Sequence, residues 1–266
     1  MRLLFLGTGP AEAIPRLGHT DPLCVDARRG GKSRRSRSAA IITAHGRQIL
    51  LDAGPDIETQ LDTHRIKKID AVFLTHAHQD AVGGLSDLNH WLAQKGVQSQ
   101  VPVYTDRKTM QRLMHKHRSL KRLRLVATPA YEPIRVGRVA ILPFRVAHAE
   151  QHGLETRGYR FGKDFAYASD VADLPLASAR LLLGIKTLVL DAAFYFGRKV
   201  LPSHLTTEEA IAWGYALGVE RLLLTQTGHT YPPHDEAALA IACYLEEQDI
   251  DIPKVMLAYD GYRTVV

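Results

Sequence analysis

The sequence predicts an α/β fold, and three observations carry that prediction. Short runs rich in Val, Ile and Leu alternate with helical patterns from one end of the chain to the other. No fixed-period repeat, low-complexity tract or Pro/Ser-rich linker breaks the alternation, so residues 1–266 read as one domain. The apolar runs repeatedly end in His or Asp, and strand ends are where α/β proteins gather ligands and chemistry.

The first strand is expected over 2–6, an apolar run that stops at Gly7-Thr8-Gly9 and is too short for a signal peptide. Gly7-Thr8-Gly9 lacks the later Gly and Lys of a phosphate-binding loop and reads as a tight turn. Strands follow at 39–44 and 47–51, the second carried by Ile49-Leu50-Leu51, and then a helix over 56–65. Ala71-Val72-Phe73-Leu74 predicts a strand over 70–74, and helical periodicity resumes over 84–94. A strand at 101–105 leads into a basic helix over 107–117. Strands at 138–146 and 164–168 precede a helix over 176–183 and a strand over 187–190. Thr206-Thr207-Glu208-Glu209 supplies a hydroxyl cap and an acidic first turn for a helix over 206–217. A strand over 220–225, a helix over 234–247 and a strand over 255–259 end the series.

Composition narrows the class. Two cysteines, Cys24 and Cys243, make no disulfide framework and point to a reducing, cytoplasmic setting. The longest apolar stretches, such as 219–224 and 179–183, are far too short to span a bilayer, so no membrane partner is expected. The formal charge of +6 is concentrated in two places. Residues 28–37 hold six Lys/Arg and no acid, and residues 107–124 hold eight and no acid. Local basicity suggests an anionic partner at particular surfaces. The second run reads as a solvated helix face; the first, rich in Gly and Ser, as a flexible segment able to wrap an anion.

The densest chemistry lies in Thr75-His76-Ala77-His78-Gln79-Asp80-Ala81. On a turn leaving a strand, His-x-His can aim two imidazoles at one ion, and a carboxylate two residues on reaches a neighbouring position. Asp52, His148, Asp170 and His229 each follow another apolar run. A lone strand-end His is usually a hydrogen-bonded structural residue, but a succession of such residues is hard to explain by packing.

Leu51-Asp52-Ala53-Gly54, then the 75–80 segment, then His148, Asp170 and His229 resemble the ordered motifs of the metallo-β-lactamase fold. A closer resemblance is to the phosphodiesterase of the bacterial carbon–phosphorus lyase (phosphonate degradation) pathway. It is carried by Leu6-Gly7-Thr8-Gly9, a ligand-like cluster leading into Ala27-Arg28-Arg29, the Arg/Ser segment, the His204 segment and Tyr259-Asp260-Gly261. The resemblance implies a four-layer αβ/βα sandwich with a metal site at the edge of its two sheets. It implies one or two divalent ions (Zn, Mn or Fe). His76, His78 and His148 would hold the first, Asp170 would bridge, and Asp80 and His229 would hold the second. Asp52 would orient a ligand from behind.

Two positions depart from the family pattern. Ala81 stands where a metal-binding His usually follows the Asp, and Gln226 stands in Thr225-Gln226-Thr227-Gly228-His229 where many relatives have His. The second metal should then bind more weakly, unless a distant residue such as His90 or His152 compensates. Where relatives carry Cys-x-Cys-x-x-Cys, this chain has His19-Thr20-Asp21-Pro22-Leu23-Cys24. With His234 as a fourth ligand, these would form a separate structural zinc site. Alternatively, His19 and Asp21 cap a turn and Cys24 is a small core residue.

A metal with an open position activates water and polarises a phosphoryl oxygen. By the resemblance, His204, just before the Thr206 helix, is a mobile active-site His acting as general acid or phosphate ligand; with Asp80 it is the candidate catalytic pair. Arg35, Arg37 and Ser38, from Arg34-Arg35-Ser36-Arg37-Ser38, are the candidate substrate clamp, since guanidinium forks match phosphate oxygens. No Gly-x-Ser-x-Gly elbow and no thiol nucleophile are evident. The expected activity is metal-dependent hydrolysis of a small phosphodiester, with cyclic ones included. RNA processing ranks behind it, because no long inserted arm and no aromatic residues interleave with the charges. Thioester hydrolysis on the same fold is a further alternative, and Ala81 keeps alive a metal-binding sensor with reduced catalysis. A homodimer is left open.

Overall fold

The computed structural model describes residues 1–116, 120–148 and 153–266. The first half runs β1 (Arg2–Gly7), α1 (Pro22–Arg28), β2 (Ala39–Ala44), β3 (Arg47–Leu51), α2 (Ile57–Thr63), β4 (Ala71–Phe73), α3 (Gln79–Val82), α4 (Leu85–Gln94), β5 (Val101–Thr105), α5 (Arg107–Lys116) and β6 (Leu123–Ala127). The second runs β7 (Ile134–Val136), β8 (Val139–Val146), β9 (Thr156–Phe161), β10 (Phe165–Ala168), α6 (Leu176–Leu182), β11 (Thr187–Asp191), α7 (Thr207–Ala216), β12 (Arg221–Thr225), α8 (His234–Glu247), β13 (Lys254–Leu257) and β14 (Arg263–Val265).

The strands form two sheets, in the orders β14-β1-β2-β3-β4-β5-β6 and β13-β12-β11-β10-β9-β8-β7. Phe5, Ile42, Ile49 and Phe73 of the first sheet pack against Tyr159, Phe161, Tyr167, Val189 and Leu223 of the second. The outer face of the first sheet is covered by apolar residues of α2 and α4, and that of the second by α6, α7 and α8. The result is the helix–sheet–sheet–helix sandwich that the family resemblance implied. Both faces of β3, β4, β11 and β12 are thus covered, which is why these strands are continuous apolar runs and not alternating ones.

Local signals and structure agree where the chemistry of an end is explicit. Thr206 and Glu209 form a reciprocal capping box at the start of α7. Elements without an apolar run were not foreseen. β9 contains Arg157 and Arg160, and β6 begins at the end of the second basic run, with Leu123 and Arg124. β7 and β14 have only three residues each. The short α1 occupies a segment expected to be a loop; Asp21 caps it and Pro22 opens it.

The first basic run is not a free, flexible segment. Arg35 is 3% exposed. Its guanidinium donates to Thr8 Oγ1 at 2.8 Å and to the carbonyl of Ala258, and its Nη2 donates to His234 Nδ1 at 3.0 Å. Asp260 accepts from the Ser36 amide (2.7 Å), the Ser36 hydroxyl (2.8 Å) and the Thr8 hydroxyl (2.8 Å). Residues 35–36 therefore fasten the turn after β1 to the segment after β13. A Cβ on Gly7 would stand 2.0 Å from the Arg37 carbonyl, so this turn tolerates no side chain there.

Two expectations are corrected by these contacts. Arg35 does not reach a substrate, because burial commits its donors to the protein interior. His234 is not a ligand of the N-terminal cluster, because its Nδ1 receives the Arg35 hydrogen bond and so holds no proton there.

Burial, and then the Arg35 charge, push the His234 imidazole down to about 4 from an ordinary 6.5. The unfolded chain therefore takes up the proton first. The stability tied to this neutral imidazole is complete above the ordinary value and is lost progressively as pH falls toward the depressed one. Lowering the pH from about 7.5 to about 5 is expected to lower the melting temperature of the wild type. His234→Asn, whose Oδ1 can still accept from Arg35 but does not titrate, should lose a smaller part; an equal loss in both proteins removes His234 from the account.

Candidate metal centre

β4 ends at Phe73, and the chain leaving it carries Thr75, His76 and His78 across the edge of the first sheet. His148 follows β8 in the second sheet. Between them, His76 Nε2 lies 2.8 Å from His78 Nδ1, and His148 Nε2 lies 3.4 Å from the same atom. The three rings meet edge to face, with centroids 4.5, 5.1 and 5.3 Å apart.

The hydrogen bonds behind these rings decide which nitrogens carry protons. Thr75 donates its hydroxyl to Asp52, whose carboxylate also accepts the Thr75 amide at 2.8 Å. With its proton committed, Thr75 Oγ1 can only accept from His76 Nδ1, 2.8 Å away. His148 Nδ1 lies 2.7 Å from the Ser203 carbonyl, which has no proton to give. Both rings are thus protonated on Nδ1 and present bare Nε2 lone pairs to the same point. Burial pushes His76 down to about 3, so this ring stays neutral. Three ring nitrogens thus converge on one point, two of them with their protons held on the far side of the ring. This donor set fits a divalent metal.

Asp52 reaches the triad through Thr75, a residue the sequence did not single out. Asp170, after β10, is buried and lies with His148 and His204 in a group whose ligand atoms are all within 4.8 Å. Burial would raise its carboxyl, but the His204 imidazolium and the Ser169 hydroxyl draw it below the ordinary carboxylate range. Asp80, on the first turn of α3, is pushed up to about 6 by burial and then by the Asp170 charge. His204 Nδ1 meets the buried Asp191 carboxylate at 2.5 Å. Burial alone would lower the His204 imidazole, yet the Asp191 charge outweighs it and lifts the ring to about 9. Asp191, at the end of β11, obeys the same strand-end rule as Asp52 and Asp170 but went unread.

The loop after β12 separates two residues that the sequence placed together. Gln226 turns to the cleft and donates its amide to Asp170 Oδ1 at 2.7 Å. His229 also lines the cleft, but its ring nitrogens meet other partners. Its Nε2 donates to the Ala13 carbonyl at 3.1 Å, which leaves Nδ1 bare, 3.7 Å from Cys24 Sγ. His229 therefore joins His19, Asp21 and Cys24 in a second group of ligand atoms within 4.8 Å of one another. The expectation that His229 holds a second ion beside Asp80 is corrected, because its ring nitrogens are engaged by Ala13 and Cys24; in this second cluster it occupies the place expected of His234. Asp21 also performs its other expected role, since it accepts the Cys24 amide at 2.9 Å as the cap of α1.

The triad opens into a cleft of about 670 Å³. Arg16 and Arg37 line it together with the apolar side chains of Phe194, Val200 and Leu201. Arg37 is held by a fork onto Asp56, at 3.0 and 3.1 Å. Ser38 is corrected as a substrate contact: it is buried, with its hydroxyl against the Gly9 carbonyl and the Gln226 side chain. His90 lies on α4 beside Gln94 and not among the residues lining the cleft; His152 falls outside the described residues.

Comparison with known proteins agrees with this geometry. The family model described as the beta-lactamase superfamily domain matches residues 47–225, from β3 to the end of β12. An octanoyltransferase of Porphyromonas gingivalis (strain ATCC BAA-308 / W83) is 30% identical over 271 residues. The match covers 100% of this chain and 52% of that protein, so the chain spans about half the length of this relative. The crystal structure of a diphosphatase from the PhnP family superposes with a TM-score of 0.85 at 29% identity, covering 99% of this chain and 97% of that one. Zn(2+)-bound PqqB from Methylobacterium extorquens gives 0.78 at 19% identity over 100% of both chains, a likeness of fold alone. The sandwich, the imidazole triad at its edge and the matched region together make this chain a member of the β-lactamase superfamily, with the metallo-β-lactamase fold.

Proposed function

We propose that the chain hydrolyses a small phosphodiester with the help of a divalent ion held by His76, His78 and His148. The observation that carries this is the composition of the cleft: an imidazole triad for a cation, arginines in its lining and the His204–Asp191 pair in the same space. When bound, the ion supplies Lewis acidity toward a phosphoryl oxygen and an activated water. Arg37, fixed by Asp56, and Arg16 take the phosphate oxygens. Asp80 lines the cleft next to the triad, as a further carboxylate ligand or a proton acceptor. Water adds to phosphorus, the ester P–O bond breaks, and the leaving oxygen takes a proton from His204 Nε2 while Asp191 holds the imidazolium through Nδ1. Likeness to a PhnP-family diphosphatase along nearly the whole chain supports phosphoester chemistry.

The apolar side chains of Phe194, Val200 and Leu201 suit a leaving group with an aromatic or aliphatic part. The same side chains, together with the octanoyltransferase relative, favour a second reading, hydrolysis of an acyl thioester. Parallel assays of bis(p-nitrophenyl) phosphate, a cyclic nucleotide, a short RNA and an octanoyl thioester separate these readings. Turnover of the diesters supports the first. Bound metal without turnover of any substrate supports a sensing role.

The cluster of His19, Asp21, Cys24 and His229 is proposed as a separate structural zinc site that ties α1 to the loop after β12. No helix among the described residues is long and apolar enough to cross a membrane, in keeping with a substrate taken from water.

Two outcomes are expected. His204→Ala should lower kcat on the diester about 100-fold or more, the usual weight of a general acid, while metal content stays unchanged. Unaltered turnover removes the role. Cys24→Ala should lose one zinc ion per chain by elemental analysis and melt several degrees lower; full zinc content with an unchanged melting temperature rules the structural site out.

A further inference from the structure

We infer that the cleft is built for a single metal ion, and that Gln226 occupies, as a hydrogen-bond donor to Asp170, the side of that carboxylate from which a second ion would be bound. By charge alone the cleft invites two cations, because the carboxylates of Asp80 and Asp170 both line it. A tightly held transition-metal ion needs about three protein ligands or more. Among the described residues, no group of three ligand atoms within reach of one another contains Asp80. The group of His148, Asp170 and His204 borrows the one inward nitrogen of His148, which already belongs to the triad.

Each of the remaining neighbours is spent elsewhere. Ala81 presents a buried methyl group, and its carbonyl accepts the Ala53 amide at 2.7 Å. His229 has turned to Cys24. Gln226 is 3% exposed, and its orientation is unambiguous, since a carboxylate accepts and the amide nitrogen must face it. The Ser38 hydroxyl meets the other end of the side chain, at Oε1, and locks it. Asp170 Oδ2 receives the Ser169 hydroxyl at 2.7 Å, so both of its oxygens already hold a donor from the protein. Gln226 also has φ of +64°, a left-handed conformation that a residue with a side chain adopts only when its surroundings impose it. An amide N–H aimed at a carboxylate replaces part of the positive charge that a second ion would bring, without a site that binds one.

This depends on the triad being a metal centre, and the experiment separates the two claims. The full chain is crystallised with Mn²⁺ in excess, and anomalous difference maps locate each ion. One peak at His76, His78 and His148 with none beside Asp80 is the expected result. Ions at the Cys24 cluster are told apart by position. Two peaks in the cleft overturn the single-ion inference and leave the metal centre standing; no peak at the triad overturns both. Ala81→His combined with Gln226→His should gain one Mn²⁺ per chain, and the resonance spectrum of the isolated ion should give way to that of a coupled pair. If this variant does not fold, the wild-type map decides.

Discussion

The cleft depends on where two of its imidazoles, His76 and His148, keep their protons. Each ring has one nitrogen available for the cleft, and the partner behind the ring determines whether that nitrogen is a donor or a lone pair. Asp52 settles the matter for His76 through the Thr75 hydroxyl, and the Ser203 carbonyl settles it for His148. Were the Asp52 carboxylate replaced by an amide, Thr75 could turn its proton toward His76 and invert the tautomer, and a hydrogen would stand where the lone pair is now. The same logic extends to the second cluster, where the Ala13 carbonyl fixes the proton of His229 on the far nitrogen. Ring placement by itself would not make a cation site; the outward hydrogen bonds do.

Those bonds hold their geometry because they are anchored at the ends of buried strands. β3, β4, β11 and β12 are enclosed on both faces, so the residues that leave them start from rigid points. Two of those residues, Asp52 and Gln226, have positive φ, +59° and +64°. Such conformations cost about 1–3 kcal/mol each for residues with side chains. Glycine would adopt them more cheaply but would leave Thr75 and Asp170 without their partners. The fold accepts backbone strain at these two corners: one aims Asp52 at Thr75 behind the triad, and the other aims Gln226 at Asp170 in the cleft.

Much of this was legible in the sequence for a simple reason: a ligand that follows a continuous apolar run announces both its strand and its place at the strand end. His76, His78, His148 and Asp170 share that signature, and so does the overlooked Asp191. The signature fails where a loop, not a strand, sets direction. His229 and Gln226 lie three residues apart after the same strand, and only the left-handed turn at Gln226 sends one to Asp170 and the other to Cys24. It also fails where charge hides a strand. Arg157 in β9 is 3% exposed, paired with Glu155 at 2.8 Å and bonded to the Thr128 carbonyl at 2.6 Å. Burial of a satisfied guanidinium leaves no apolar trace to read.

The basic runs show most clearly why net charge is a poor guide to a partner. In the segment Arg35-Ser36-Arg37, neighbouring side chains point to different surroundings, as the bridges from Ile14 to Arg35 and from Gly9 to Arg37 require of extended chain. Arg35 goes inward, where burial lowers it to about 10 and leaves it charged at neutral pH. Ser36 meets Asp260, and Arg37 comes to the cleft wall on Asp56. Of three positions that composition alone would assign to an anion, one faces it, and the other two hold the loop that positions it. A guanidinium at a cleft is useful only if its backbone cannot drift, and Asp56, which orients the Arg37 side chain, also accepts the Arg37 backbone amide at 2.9 Å. The buried arginine two residues earlier adds a further restraint on the same loop, so the charge of this segment serves structure first.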